Sequence, residues 1–273
     1  MAKTVLITGA SSGFGRAAAQ QFLSAGWNVA PTMRTPRLPA EWEGHPRVFV
    51  TELDVQNRAS IEQAIAHTRE RFGGLDVLIN NAGYGLFGVF ESLSQEKIRE
   101  QFDVNLFGVM DVTRAVLPIF RAQRSGVIVN ISSGAGVFTL PMLSAYSASK
   151  FALEGFSEAL AYELASQNVH VKLIEPGGVT ETQFDARSTR EAAGSVPLPD
   201  YEAFTADAER LFARLRSAPL SRTEDVAKVI FDAATDGTDR LRYVATQDIA
   251  QRVAARRETS EAEYIDFMRR FTG

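Results

Sequence analysis

Seven short runs rich in branched apolar residues recur along the chain, with helical patterns between them, and this alternation constrains the fold more than any other feature. The runs are TVLIT (Thr4–Thr8), NVAPTM (Asn28–Met33), VFVTEL (Val48–Leu53), DVLIN (Asp76–Asn80), GVIVNIS (Gly126–Ser132), VKLIE (Val171–Glu175) and RYVAT (Arg242–Thr246). Near-continuous apolar strands signal a parallel sheet covered on both faces. The intervals supply the crossovers that parallel neighbours require. In one of them Ile61, Ile65 and Phe72 keep helical spacing, with Asn57 placed to cap the start and Gly73 to stop the end. A doubly wound sheet of about seven strands flanked by helices follows. Pro31 is the discordant residue, because proline cannot donate to an interior ladder. The second strand is kept over Asn28–Met33 with its far end the weaker.

A chain of 273 residues fits one large α/β unit, and 45% hydrophobic with 23% charged residues suffices for a sizeable core. The formal net charge of −4 provides no global basic field, so neither nucleic acid nor an anionic membrane is expected as partner. A small molecule is. With no cysteine, disulfides, thiol nucleophiles and thiolate zinc sites are excluded. His45, His67 and His170 show no ligand spacing, so no metal is expected. The first strand leaves no room for a signal peptide, and no apolar run approaches the roughly 18 residues of a membrane span, so the expected location is cytoplasmic.

No repeat or linker divides residues 1–273, which are read as one domain. The pattern loosens from Gln183 to Pro219, where Tyr201, Phe204, Ala208, Leu211, Phe212 and Leu215 fall at helical spacing after Asp200, a possible cap. Residues 183–220 are therefore expected to form a small helical lid over the substrate. At the end, Ser260 and Glu263 have capping-box spacing, with Tyr264, Phe267, Met268 and Phe271 on one stripe of a docked helix.

The first strand runs straight into TGASSGFG, with Gly9, Gly13 and Gly15 ahead of a helical pattern. Glycines here let the backbone turn sharply and approach a pyrophosphate, whose charge the helix start favours. This turn resembles the T-G-x-x-x-G-x-G turn of the short-chain dehydrogenase/reductase family. Further motifs carry the same resemblance: LDV (Leu53–Val55), NNAG (Asn80–Gly83), VNLFG (Val104–Gly108), and ISS ahead of YSASK. The family places a serine 13 residues before its tyrosine, which selects Ser133 relative to Tyr146. The resemblance spans Thr4 to Thr182 and implies a Rossmann-like fold.

Tyr146 and Lys150 lie four apart, and a helix starting near Ala145 would project both into one site. A phenol is a poor base at neutral pH, and a neighbouring ammonium draws its pKa toward the working range. By resemblance Tyr146 is the general acid–base of a reversible hydride transfer, Ser133 holds the substrate oxygen, and Asn105 relays protons through water to Lys150. Lys150 also grips the nicotinamide ribose. Singly, each residue has a plainer reading as core, surface or cap; together, at family spacing, they form a catalytic set.

The end of the second strand chooses the cofactor, since an acid there binds the NAD ribose and an arginine accommodates the NADP phosphate. Met33 stands in the acid's place and Arg34 follows, with Arg37 nearby, so NADP(H) is favoured over NAD(H). The resemblance implies that Gly9, Ser11, Ser12, Gly13, Phe14 and Gly15 bind the cofactor. It implies the same for Asp54 and Val55, for Asn81, Ala82 and Gly83, and for Tyr146 and Lys150. After the sixth strand, PGGVTET implies Pro176, Gly177 and Val179 on the nicotinamide side; Glu181 replaces the family's threonine, leaving Thr180 or Thr182 to serve.

Segments expected around the nicotinamide are apolar, which suits a hydrophobic ketone, aldehyde or alcohol. The expected pocket residues are Tyr84, Phe87, Phe138, Leu140, Met142, Phe184, Tyr201 and Phe204. YSASKFALEGFSEAL resembles the hydroxysteroid and retinol dehydrogenase branch. Apolar helices over Phe102–Leu117 and after Tyr146 imply, by resemblance, a homodimer or homotetramer. Two other readings share these residues: a nucleotide-sugar epimerase or dehydratase, and a non-catalytic NADP-binding sensor. The apolar pocket stands against the first and retention of Tyr146 against the second.

Overall fold

A computed structural model describes residues 2–179, 184–191, 196 and 198–273. Its strands are β1 (Thr4–Ile7), β2 (Asn28–Met33), β3 (Thr51–Glu52), β4 (Val77–Asn80), β5 (Gly126–Ile131), β6 (Val169–Glu175) and β7 (Arg242–Val244). They form a single parallel sheet in the order β3-β2-β1-β4-β5-β6-β7. The helices are α1 (Gly13–Ser24), α2 (Arg58–Phe72), α3 (Gln95–Phe102), α4 (Gly108–Gln123), α5 (Ser144–Ala165), α6 (Phe184–Glu191), α7 (Glu202–Ser217), α8 (Thr223–Thr235), α9 (Ala250–Glu258) and α10 (Glu261–Thr272).

The period of two along a strand sends neighbouring residues to opposite faces. Val5 and Ile7 pack with Phe22 of α1 and Ile230 of α8, whereas Leu6 packs with Ile61 of α2, Val116 of α4 and Leu160 of α5. Both faces are dry, and for that reason the strands read as unbroken apolar runs.

The proline in β2 is accommodated by parity. Val29 and Met33 direct their backbone bonds toward β3, while Asn28 and Thr32 direct theirs toward β1. Pro31 shares the parity of Val29, so its missing N–H falls on the β3 side. The loss is visible there: instead of the expected strand over Val48–Leu53, β3 keeps two residues plus one isolated bridge from Val29 to Val48. Pro31 itself stays in register with Ile7 of β1, and β2 reaches Met33.

Local signals elsewhere hold. Asn57 Oδ1 accepts from Ser60 N at 3.2 Å, and Gly73 ends α2 at φ 82°. Ser260 and Glu263 form the reciprocal capping box of α10. Asp200 does not cap α7. It lies inside a short turn, Pro199–Tyr201, that the fixed φ of proline starts, and α7 begins only at Glu202. Between α3 and α4 the backbone widens into a single π turn over Asp103–Phe107, the segment that carries Asn105.

Candidate active site

The chain crosses from one side of β1 to the other between β3 and β4, and at this switch point a crevice opens beyond the carboxyl ends of the strands. A cavity of about 430 Å³ fills it, walled by the ends of β1, β4, β5 and β6 and by α5 and α7.

One end of the cavity is the glycine turn. Gly9 sits at φ 66°, where a Cβ would come within 2.8 Å of Ala82 Cα. Asn81 holds this turn rigid: its Nδ2 donates to Thr8 O at 2.9 Å and Gly9 O at 3.0 Å. Its own N–H and that of Ala82 donate to Thr8 Oγ1, each at 3.0 Å. Ser12 precedes α1 without capping it through its side chain, which leaves the first helical N–H groups to a ligand. Gly13, at φ 54°, lines the cavity with open space where a side chain would stand. This cradle fits a dinucleotide phosphate. Ser11, Phe14, Arg34, Asp54, Val55 and Gly83 share the same wall. Gly15 does not: it lies behind the turn, packed against Asn81. Arg34 is exposed and forms no ion pair among the described residues.

The other end gathers three of the expected quartet on its wall, with the fourth behind them. Tyr146 and Lys150 project from the first turns of α5, and Ser133 from the end of β5; the Tyr146 hydroxyl hydrogen-bonds Ser133. Lys150 Nζ donates to Ile131 O at 2.8 Å and lies 5.9 Å from the Tyr146 ring centre. Asn105 is off the cavity wall. Its amide clamps the Tyr84 backbone, accepting from the N–H at 3.1 Å and donating to the carbonyl at 2.9 Å. It also donates to Ser149 Oγ at 3.2 Å, which in turn donates to Tyr146 O at 2.7 Å. Asn105 thus ties the NNAG turn to the helix carrying tyrosine and lysine.

Electrostatics differ from the expectation in one respect. Burial pushes the Tyr146 phenol up to about 12, and the Ser133 hydrogen bond only partly offsets it. Burial also pulls the Lys150 ammonium down to about 8, against the attraction of Glu154. Desolvation dominates both groups and outweighs what the ammonium, turned to the Ile131 carbonyl, does to the phenol.

The turn after β6 is held from 70 residues away. Gly177 N donates to Thr246 Oγ1 at 2.8 Å and Gly178 N to Asp248 Oδ2 at 2.9 Å. Pro176, Gly177 and Val179 line the cavity, as does Asp248, which nothing local in the sequence marks. Thr180 and Thr182 lie outside the described residues, as does the side chain of Phe184.

Around Tyr146 the wall is apolar: Ala135, Leu143, Phe87, Leu140 and Phe212 pack with it, and Phe87 and Phe212 meet edge to face at 4.5 Å. Of the expected pocket residues, Tyr84, Phe87, Phe138 and Leu140 line the cavity. Met142, Tyr201 and Phe204 do not; they border a separate depression beside Gly88–Glu91. Sequence reasoning missed Arg187, Arg216 and Arg252 on the main wall. Among the described residues no cluster of His, Asp and Glu could hold a metal ion, and no helix is long and apolar enough to cross a membrane.

Residues 3–193 match the sequence profile of the short chain dehydrogenases. The chain belongs to that family. This short-chain dehydrogenase is 44% identical over 190 residues to a 3-ketodihydrosphingosine reductase of Bacteroides thetaiotaomicron, covering 70% of this chain and 69% of that protein. It is 37% identical over 245 residues to retinol dehydrogenase 8 of Bos taurus, covering 84% and 76% respectively. Among solved structures, a short-chain dehydrogenase from Streptomyces avermitilis superposes with a TM-score of 0.83 at 33% identity, covering 98% of this chain and 97% of that one. Similar structures hold either dinucleotide. A serine dehydrogenase with NADP+ matches at TM-score 0.75 and 29% identity over 89% of this chain and 94% of that one. A Burkholderia phymatum enzyme with NAD matches at 0.79 and 28% over 98% and 95%. The short-chain dehydrogenase is an oxidoreductase acting on CH–OH groups of small molecules, and its cofactor is a nicotinamide dinucleotide.

Proposed function

We propose that the chain is an NADP(H)-dependent dehydrogenase/reductase interconverting an apolar ketone or aldehyde and its alcohol, with Tyr146 as general acid–base. The observation that carries this reading is the apolar wall of Phe87, Leu140, Leu143 and Phe212 closed around the Tyr146 hydroxyl and Ser133. A buried phenol surrounded in this way meets a carbonyl oxygen with little water to compete.

The dinucleotide, when bound, supplies or takes the hydride. The chain's part is to place and move one proton. In reduction Tyr146 gives its hydroxyl proton to the substrate oxygen as negative charge develops there; in oxidation it takes that proton back. Ser133 donates a second hydrogen bond to the same oxygen and fixes it against the phenol. The Lys150 ammonium lowers the energy of the phenolate that remains, and Asn105 keeps Lys150, Tyr146 and the Gly83 turn in register through Ser149 and Tyr84. A phenol near 12 rests protonated at neutral pH, the state that reduction needs.

Arg34 supports the choice of NADP(H), being a cavity-wall cation with no ion-pair partner among the described residues where the ribose 2′ position is expected. The names of the relatives, a ketosphingoid reductase and a retinol dehydrogenase, support a long apolar substrate. Of the expected lid over 183–220, residues 183, 192–195 and 197 lie outside the described residues; in this reading the described part covers the site, with Phe212, Leu215 and Leu220 on the cavity side. Phe107, just ahead of α4, and Phe151 and Tyr162 of α5, respectively 52%, 39% and 74% exposed, support a second copy of the chain docking on this face.

The test is a fluorescence titration with NADPH and NADH, followed by turnover of apolar, aromatic and sugar carbonyls by wild type and Tyr146→Phe. NADPH binding at least about tenfold tighter is expected, with an apolar carbonyl reduced. Tyr146→Phe should lose roughly 10²–10⁴-fold in kcat and keep its affinity for NADPH. A variant retaining more than about a tenth of the rate would remove Tyr146 from the reaction.

A further inference from the structure

A buried charge cluster lies beneath the site, and the proposed reaction leaves it unused. Tyr146, Lys150, Glu154 and Glu158 follow at four-residue intervals along α5, on one stripe of the helix. The first two line the cavity; Glu154, 6% exposed, lies off its wall among the strand ends. Each neighbouring element turns a group toward it. Just past β5, Ser132 lies against the same turn as the Glu154 side chain; from β7, Arg242 Nε donates to Glu154 Oε2 at 2.9 Å. Arg242 also donates to Glu158 Oε2 at 2.6 Å and stands 3.8 Å from Glu175 Oε1 at the end of β6. Glu175, fully buried, accepts from Arg257 of α9 at 2.5 Å.

Two features aim this cluster at the chemistry. Ser132 and Glu175 directly precede Ser133 and Pro176, so the network anchors both loops that meet over the cavity. A Cβ on Gly136 would fall 2.8 Å from Ser132 Oγ and 3.1 Å from Glu154 Cγ, so the turn after Ser133 rests on Glu154. Charge balance is the second feature. Three carboxylates, those of Glu154, Glu158 and Glu175, face two guanidiniums, those of Arg242 and Arg257. The Lys150 ammonium, whose hydrogen bond goes to the neutral Ile131 carbonyl, supplies the third positive charge. Glu154 and Glu175 are the buried members of the set, and a buried carboxylate needs positive charge nearby to be tolerated.

We propose that Glu154 is a positioning residue that holds Lys150 in its ammonium form and seats the turn carrying Ser133. The role rests on the reading of Tyr146 and Lys150 given above. Burial alone drives a lysine toward neutrality, and neutral Lys150 could not stabilise a Tyr146 phenolate. Burial also raises the Glu154 carboxyl, with Glu175 adding to the effect, while Ser132 and Arg242 oppose it. Arg242 therefore sets how much negative charge reaches Lys150.

The chain has five lysines, so the Lys150 side-chain nitrogen can be followed by NMR in lysine-labelled protein and assigned by its loss in Lys150→Met. In Glu154→Gln the Lys150 titration should fall by about one pH unit, and the alkaline limb of kcat/KM should fall with it. Glu154→Asp should restore part of the shift. Arg242→Gln, which leaves Glu154 more protonated, should lower the titration in the same direction, and it carries the test where Glu154→Gln does not fold. Identical Lys150 titrations in wild type and Glu154→Gln overturn the proposal, and any loss of rate is then structural. If no carbonyl turns over but the titration shifts, the charge coupling stands and the reading of the reaction fails. If turnover depends on Tyr146 while titration and limb stay put, only the Glu154 role is lost.

Discussion

Replacing Gly15 with alanine puts a methyl carbon 2.4 Å from Asn81 Nδ2, 2.7 Å from the Gly9 carbonyl oxygen and 2.9 Å from Ala10 Cα. Two of these neighbours are backbone. The third cannot swing aside without giving up its bonds to Thr8 O and Gly9 O. Overpacking of this kind costs about 1–3 kcal/mol, and two forfeited hydrogen bonds add about 1 kcal/mol each, so a loss of about 3–5 kcal/mol is expected. Urea unfolding followed by circular dichroism measures it. Gly13→Ala is the control: at φ 54°, with nothing within 4 Å, its methyl stores only about 1–2 kcal/mol of backbone strain. That methyl nevertheless occupies the open cradle, so NADPH should weaken by about tenfold or more while the fold persists. The two glycines of one motif thus separate into a stability residue and a binding residue. If Gly15→Ala unfolds within about 0.5 kcal/mol of wild type, the turn yields where it is argued to be rigid and the reasoning is refuted.

Arg34→Ala should weaken NADPH by about 10–100-fold, the worth of a charge-assisted hydrogen bond to phosphate, and leave NADH within about twofold; equal losses for both would sink the specificity argument. The Asp236 carboxyl is held at about 2: burial opposes this, but hydrogen bonds from Tyr243, Thr238 and Lys172 outweigh it. A depressed folded-state pKa gives stability that is present above the ordinary carboxylate range and lost as pH falls toward 2, here about 2 kcal/mol. The difference in unfolding free energy between wild type and Asp236→Asn should therefore shrink below about pH 4, and a pH-independent difference would contradict it.

What was legible follows from the range of the forces involved. Strand positions come from burial on both faces, which writes itself into local composition; Asn57, Gly73 and Ser260 act within one helical turn, and each does in space what its spacing implied. The shortening of β3 to Thr51–Glu52 was not legible from Val48–Leu53 alone, because its cause is a proline on a neighbouring strand and depends on which side that strand pairs.

The candidate site divides along the same line. Tyr146, Lys150 and Ser133 were readable because one helix turn and one strand end set them, whereas Asp248 reaches Gly178 across 70 residues and leaves no local trace. Helical spacing showed that the helix beginning near Tyr201 has an apolar face without saying what it meets; Phe212 turned to Tyr146, and Tyr201 and Phe204 to the depression outside. Ionisation was the least legible quantity of all. A lysine four residues from a tyrosine suggests a lowered phenol, yet what decides the outcome is desolvation, a property of everything packed around the pair. The third residue of that stripe, Glu154, reads as an ordinary helix-surface acid in sequence. Only the strand ends that bury it, bringing Ser132, Glu175 and Arg242 to its carboxyl, place its charge where it can act on Lys150.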